Sequence, residues 1–206
     1  PEWLIDEVIQ QRSAVLMFGT SNSFKSFLAI DLALAVAANT SWHGNSVVQG
    51  KVLIVATEGA NAVGRLRIPS RFDHYSVPDN ARANVFLYPA EICLDIYEDV
   101  SELIDTMKQE GPFKLLVLDI FGGCMSGSEI DDKTARAWVH GVQRIIRETG
   151  ATILAVAHTG WNNQDRARMH THFWGSFDTR LLVEGDKGKM TAVITVERHK
   201  DADSSG

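Results

Sequence analysis

Residues 19–26 read GTSNSFKS and lie between an apolar run, AVLMF (14–18), and a helix-forming run, KSFLAIDLALAVAAN (25–39). A strand, a short polar loop and a helix opening on Lys-Ser make the frame of a phosphate-binding loop, G-x-x-x-x-G-K-[ST]. In that frame the backbone N–H groups and the helix dipole hold phosphates. The lysine reaches the β/γ-phosphates and the hydroxyl ligates Mg²⁺. Gly19, Thr20, Ser21, Asn22, Ser23, Phe24, Lys25, Ser26 and Phe27 are then the nucleotide-binding residues, with Ser26 a metal ligand. One letter departs from the pattern: Phe24 stands where the second glycine belongs. On its own letters the octapeptide reads equally as a helix start with an incidental Lys-Ser. Glycine there serves a positive φ or a close approach of backbone to phosphate, and phenylalanine at positive φ is an outlier. A working loop is therefore expected to hold Phe24 in an ordinary, helix-entering conformation. Its ring would turn from the phosphates into an apolar pocket beside Phe27 or the sheet.

Outward from the loop, short apolar runs alternate with helical patterns. Strands are expected at KVLIVAT (51–57), NVFLYP (85–90), KLLVLDI (114–120) and ATILAVAH (151–158). Helices are expected over NAVGRLRIPSRF, mostly until Pro69, over YEDVSELIDTMKQE, closed by Gly111-Pro112, and over DDKTARAWVHGVQRIIRETG, with an acidic first turn and Gly150 past its end. TRLLVEGDKGKMTAVITVERHK alternates around GDKG and reads as a β-hairpin. Strands without polar alternation, separated by helices, predict an α/β fold with a mainly parallel sheet covered on both faces. Ligands bind such sheets beyond the carboxyl ends of the strands.

The residues at those ends form a chemically coherent set. Asp119 closes LLVLD as a Walker B aspartate would, positioning Mg²⁺; its bland alternative is a turn cap. Glu58 follows VLIVAT and is the candidate general base toward the attacking water, or else an exposed loop carboxylate. His158 and Thr159 follow TILAVA, placed to hydrogen-bond a γ-phosphate or simply to pack.

With GTSNSFKSFLAIDLALAVAANTSWHG, VLIVATEGANAVGRLRI, LLVLDIFGGC, GATILAVAHTG and ERHKDAD in view, the chain resembles the RecA-type NTPase core. Within it, the chain is similar to the RepA-like hexameric helicases of plasmids and phages, over nearly its whole length. The resemblance implies a RecA-like P-loop fold that binds ATP and Mg²⁺. It also implies catalysis by Glu58 and Lys25, a γ-phosphate sensor at His158, and a basic pair, Arg198 and Lys200, inserted into a neighbouring subunit's site. A ring homo-oligomer of hexamer type, acting on single-stranded DNA in replication within a bacterial host's cytoplasm, goes with it. A RecA-like recombinase or loader and a non-hydrolysing nucleotide-dependent regulator are the alternatives. Two departures stand out: Ala157 where relatives often have a second histidine, and the bulky RMHTHFWGSFD (168–178), expected to alter a channel-facing loop.

The composition allows a single domain over 1–206, and a start at Pro1 reads as a piece of a longer protein. A net charge of −6 argues against nucleic acid covering all sides and leaves room for contact through a few loops. GWNNQDRARMHTH (160–172) is the candidate DNA-contacting loop: Arg166 and Arg168 would track phosphates and Trp161 stack on a base. The acidic GGCMSGSEIDD (122–132) is a weaker second candidate. His170 and His172 read as two loop histidines rather than a zinc site, because no Cys or further His lies at ligand spacing. Arg65 and Arg67 read as helix-surface charges. Cys93 and Cys124 form no CxxC pair, and no apolar run is long enough to span a membrane.

Overall fold

Uninterrupted apolar strands need cover on both faces. The computed structural model, which describes residues 1–57, 62–74, 77–88, 90–159 and 169–200, provides it. A short hairpin, β1 (Trp3–Ile5) and β2 (Ile9–Gln10), precedes β3 (Ala14–Gly19) and helix α1 (Lys25–Ala38). Then come β4 (Lys51–Ala56), a π-helical turn (Val63–Arg67) running into α2 (Ile68–His74), the short α3 (Asp79–Arg82) and β5 (Val85–Leu87). Helix α4 (Tyr97–Glu110) leads to β6 (Phe113–Asp119), a 3₁₀ turn (Phe121–Cys124), α5 (Asp132–Thr149) and β7 (Thr152–His158). Helix α6 (Thr171–Ser176) and the hairpin β8 (Thr179–Asp186) and β9 (Thr191–His199) complete the order.

The main sheet has seven strands in the order β5-β4-β6-β7-β3-β8-β9. Every neighbouring pair is parallel except β8–β9. One face packs α1, α2, α3 and the first hairpin; the other packs α4, α5 and α6. Helix α1 is buried from Ala29 through Ala37, which is why its sequence is apolar almost all round. Its one charged interruption, Asp31, accepts from Arg71 Nη2 of α2 at 2.7 Å. Asn39 ends α1 in the left-handed conformation (φ 58°), and its N–H bonds Ala35 O.

Two expectations are corrected here. The second helix does not stop at Pro69, which lies inside α2. Proline has no N–H for the carbonyl four residues back, and its ring crowds that carbonyl. The preceding turn widens to π geometry, which makes the room. The bulk of residues 168–178 goes into the core. Phe173 is fully buried, its ring 4.9 Å from Phe121 and 5.4 Å from Trp138 between centroids. Trp174 meets Phe18 edge-on at 5.1 Å and lies 4.4 Å from the Arg180 guanidinium.

Candidate functional site

The carboxyl ends of β3, β6 and β7 meet at one edge of the sheet, with Gly19 in register with His158 and Asp119 with Val156. The loop 19–26 turns there into α1, and Thr159 N–H bonds back to Gly19 O at 3.0 Å. Strand β8 presses on this loop from the side. A Cβ on Gly19 would lie 2.1 Å from Val183 O, and one on Gly185 would lie 2.6 Å from Ser23 Cα. Both glycines are needed for the hairpin to lie against the loop.

The backbone of Phe24 is not what sequence reasoning expects. It sits at φ 69°, ψ 12°, left-handed, as the residue capping α1, and does not enter the helix. Asn22 is also left-handed (φ 63°), whereas Ser23 between them is not. Alternating right- and left-handed residues turn successive N–H groups into one concavity, an anion-binding nest. The loop therefore keeps the curvature that glycine ordinarily supplies and places a phenylalanine in it. Nor is the ring sequestered: Phe24 is half-buried and lines the cavity above the loop.

That cavity has a volume of about 510 Å³. Its floor is the loop from Asn22 to Phe27, with Ile120, Val156 and His158 behind it. Lys25, Arg67 and Lys187 also line it, and no acidic side chain does among the described residues. Arg67 is a correction: it is no bystander on a helix surface, since the π-helical turn carries it over the Phe27 ring at 5.0 Å from the centroid. Lys187 and Met190 are additions that sequence reasoning misses. They come from the β8–β9 turn, which the sequence places far from the loop and the sheet brings beside it.

Lys25 is 4 % exposed, and its ammonium donates to Thr20 O (2.6 Å) and Ser23 Oγ (3.3 Å). Burial lowers its pKa to about 8, against the opposing pull of the Asp119 carboxylate. Ser26 Oγ donates to Asp119 Oδ1 at 2.9 Å, and Asp119 is 5 % exposed. A hydroxyl and a carboxylate so joined, beside a cavity lined by cations, form the hard oxygen donor pair that suits Mg²⁺ on a phosphate. Thr57, at the end of β4, is tied to the same strand: its N–H bonds Asp119 O (2.8 Å), and its Oγ1 accepts from Ile120 N (3.0 Å). Glu58 follows directly in sequence and, like Trp161, Arg166 and Arg168, lies outside the described residues.

The structure brings Lys25, Ser26, Asp119 and His158 together and leaves Arg198 and Lys200 apart from them. Strand β9 runs antiparallel to β8, so its last residues lie at the amino ends of the parallel strands, with Arg198 opposite Arg180 and His199 opposite Thr179. Lys200 Nζ is 3.6 Å from Asp178 Oδ1.

The family model described as AAA domain matches residues 1–164. Among solved structures, the chain is similar to the ATPase domain of a phage helicase, with 13 % identity, a TM-score of 0.66, and coverage of 94 % of this chain and 79 % of that one. It is likewise similar to a KaiC-like protein from Pyrococcus horikoshii, with 14 % identity, a TM-score of 0.63, and coverage of 96 % and 84 %. No curated protein matches the chain. No helix among the described residues is long and apolar enough to cross a membrane. The phosphate-loop geometry, the strand order and the family match agree: this chain belongs to the AAA domain family and has the RecA-like P-loop NTPase fold.

Proposed function

We propose that the chain is the ATP-hydrolysing motor of a ring-forming DNA helicase. The observation that carries this reading is the cavity over the loop. Its charged lining is cationic throughout the described residues, and Ser26 and Asp119 are already paired at its edge. The nest of N–H groups would hold the phosphates, with Lys25 turning from Thr20 O and Ser23 Oγ toward a phosphate oxygen. Ser26 and Asp119 would hold Mg²⁺, which when bound neutralises charge on the phosphate oxygens. Glu58 is assigned the proton of the attacking water, and His158, lining the cavity at the end of β7, the sensing of the γ-phosphate.

Arg198 and Lys200 lie toward the end of the sheet opposite their own cavity. This placement favours their acting on a neighbour's nucleotide, and so an assembly in which each site is completed in trans. The segment 160–168 is the proposed contact to single-stranded DNA. The test is the ATPase rate with and without single-stranded DNA, measured beside a light-scattering mass, for the chain and for Glu58→Gln. The reading expects an oligomeric ATPase stimulated by DNA, with turnover abolished in Glu58→Gln. An ATPase indifferent to DNA points to the nucleotide-dependent regulator. DNA-stimulated turnover on an open filament points to the recombinase or loader.

A further inference from the structure

Away from the nucleotide cavity, the structure assembles a donor set that the sequence keeps apart. Asp132, the first residue of α5, faces the two histidines at the start of α6. Asp132 Oδ1 lies 3.2 Å from His172 Nε2 and 3.8 Å from His170 Nε2. All three ligand atoms lie within 4.8 Å of one another. The expectation of two unrelated loop histidines is thereby corrected: His170 caps α6, His172 lies within it, and the third donor comes from another helix.

Asp132 Oδ2 accepts from Arg136 Nε at 2.8 Å, which fixes the carboxylate and leaves Oδ1 turned to the imidazoles. The Arg136 guanidinium also holds the Asp132 carboxyl below its ordinary range, so the oxygen is ionised. The rings stack with centroids 5.2 Å apart and planes 20° from parallel, both presenting Nε2 to the same oxygen. Around a tetrahedral zinc ion with bonds of about 2.0–2.1 Å, donor atoms stand about 3.3 Å apart. The two observed separations bracket that edge length closely. Two imidazoles and a carboxylate suit zinc and its neighbours among the divalent transition metals; Mg²⁺ prefers oxygen alone.

We propose that Asp132, His170 and His172 bind a divalent transition-metal ion of the zinc class, with water completing its coordination. Side-chain exposures of 50 %, 27 % and 45 % let the ion enter from solvent without unfolding. Loading places the metal on Nε2 of each neutral ring and moves the ring proton of His170 to Nδ1. The one contact given up is the hydrogen bond from His172 N–H to His170 Nδ1, which is long (3.3 Å) and exposed. The ion joins the amino ends of α5 and α6 immediately after segment 160–168 in sequence. It therefore bears on the base of the proposed DNA-contacting segment and is separate from the Mg²⁺ of the nucleotide site.

The test is calorimetric titration of Zn²⁺ into the full chain in millimolar Mg²⁺, repeated with Co²⁺ to read tetrahedral coordination from its visible absorption. A single zinc equivalent per chain is expected, undisturbed by Mg²⁺. Affinity should fall at least about tenfold in Asp132→Asn and in His172→Ala. Circular dichroism checks that these surface variants keep the fold. Absence of saturable zinc binding overturns the proposal, and so does binding that stays unchanged in both variants.

Discussion

Replacing Phe24 by glycine and, separately, by alanine isolates its backbone conformation, because both variants delete the same ring. At φ 69° a residue with a Cβ carries a penalty of roughly 1–2 kcal/mol that glycine escapes. Glycine loses roughly 0.5–1 kcal/mol more than alanine in backbone entropy on folding. The balance leaves Phe24→Gly more stable than Phe24→Ala by about 0.5–1 kcal/mol. In a helix-entering conformation the order reverses, with alanine ahead by about the same amount. The assay is urea unfolding of the two variants at 25 °C, with thermal midpoints about 1–4 °C apart as a second reading. An alanine variant equal to or more stable than the glycine variant would refute the left-handed assignment, and with it the nest account of the loop.

Lys25 supplies a pH signature. Its folded pKa of about 8 lies below the free value of 10.5, so between these values the unfolded chain holds a proton that the folded chain has shed. Stability relative to Lys25→Met should therefore rise as pH climbs from 8 toward 10.5, read as the gap between their urea midpoints at each pH; a flat gap contradicts a buried, depressed ammonium. Arg71→Ala strands the Asp31 carboxylate, whose side chain is 8 % exposed. Because Arg71 itself is 30 % exposed, the loss should be about 2–3 kcal/mol, below the range for fully buried pairs. Asp31→Leu combined with Arg71→Met should recover most of that loss in the same urea assay. Phe173→Ala opens the ring cluster with Phe121 and Trp138 and should cost about 3–5 kcal/mol by denaturant unfolding, as a core position does and a channel loop does not.

Much of this architecture is legible in the sequence, because the signals are strong and local. The apolar runs at 14–18 and 114–120 have no polar alternation, so a covered parallel sheet follows. Asp119 and Lys25-Ser26 fall at strand ends by chain order alone, and the structure joins Ser26 to Asp119. What stays hidden depends on partners distant in sequence or on competition between local terms. The expectation for Phe24 rests on its own steric preference. The loop is held instead by β8 at Gly19 and Gly185, and that packing overrides one residue's cost. Lys187 and Met190 reach the cavity because β8 returns beside β3, and nothing within GDKGKM announces that. Pro69 carries a stop signal that a π-turn absorbs. Asp132 joins His170 and His172 through the packing of α5 on α6, a contact made by Trp138 and Phe173 and invisible to ligand spacing.

The central claim, that the cavity over residues 19–26 takes a magnesium-bound nucleoside triphosphate, is tested most directly by calorimetric titration of ATP with Mg²⁺ into the chain and into Lys25→Ala. The account predicts saturable binding by the parent chain and a loss of at least about tenfold on removing the ammonium, the scale of one charged hydrogen bond. A folded parent chain that takes up no nucleotide, or a Lys25→Ala variant that binds equally well, would contradict it.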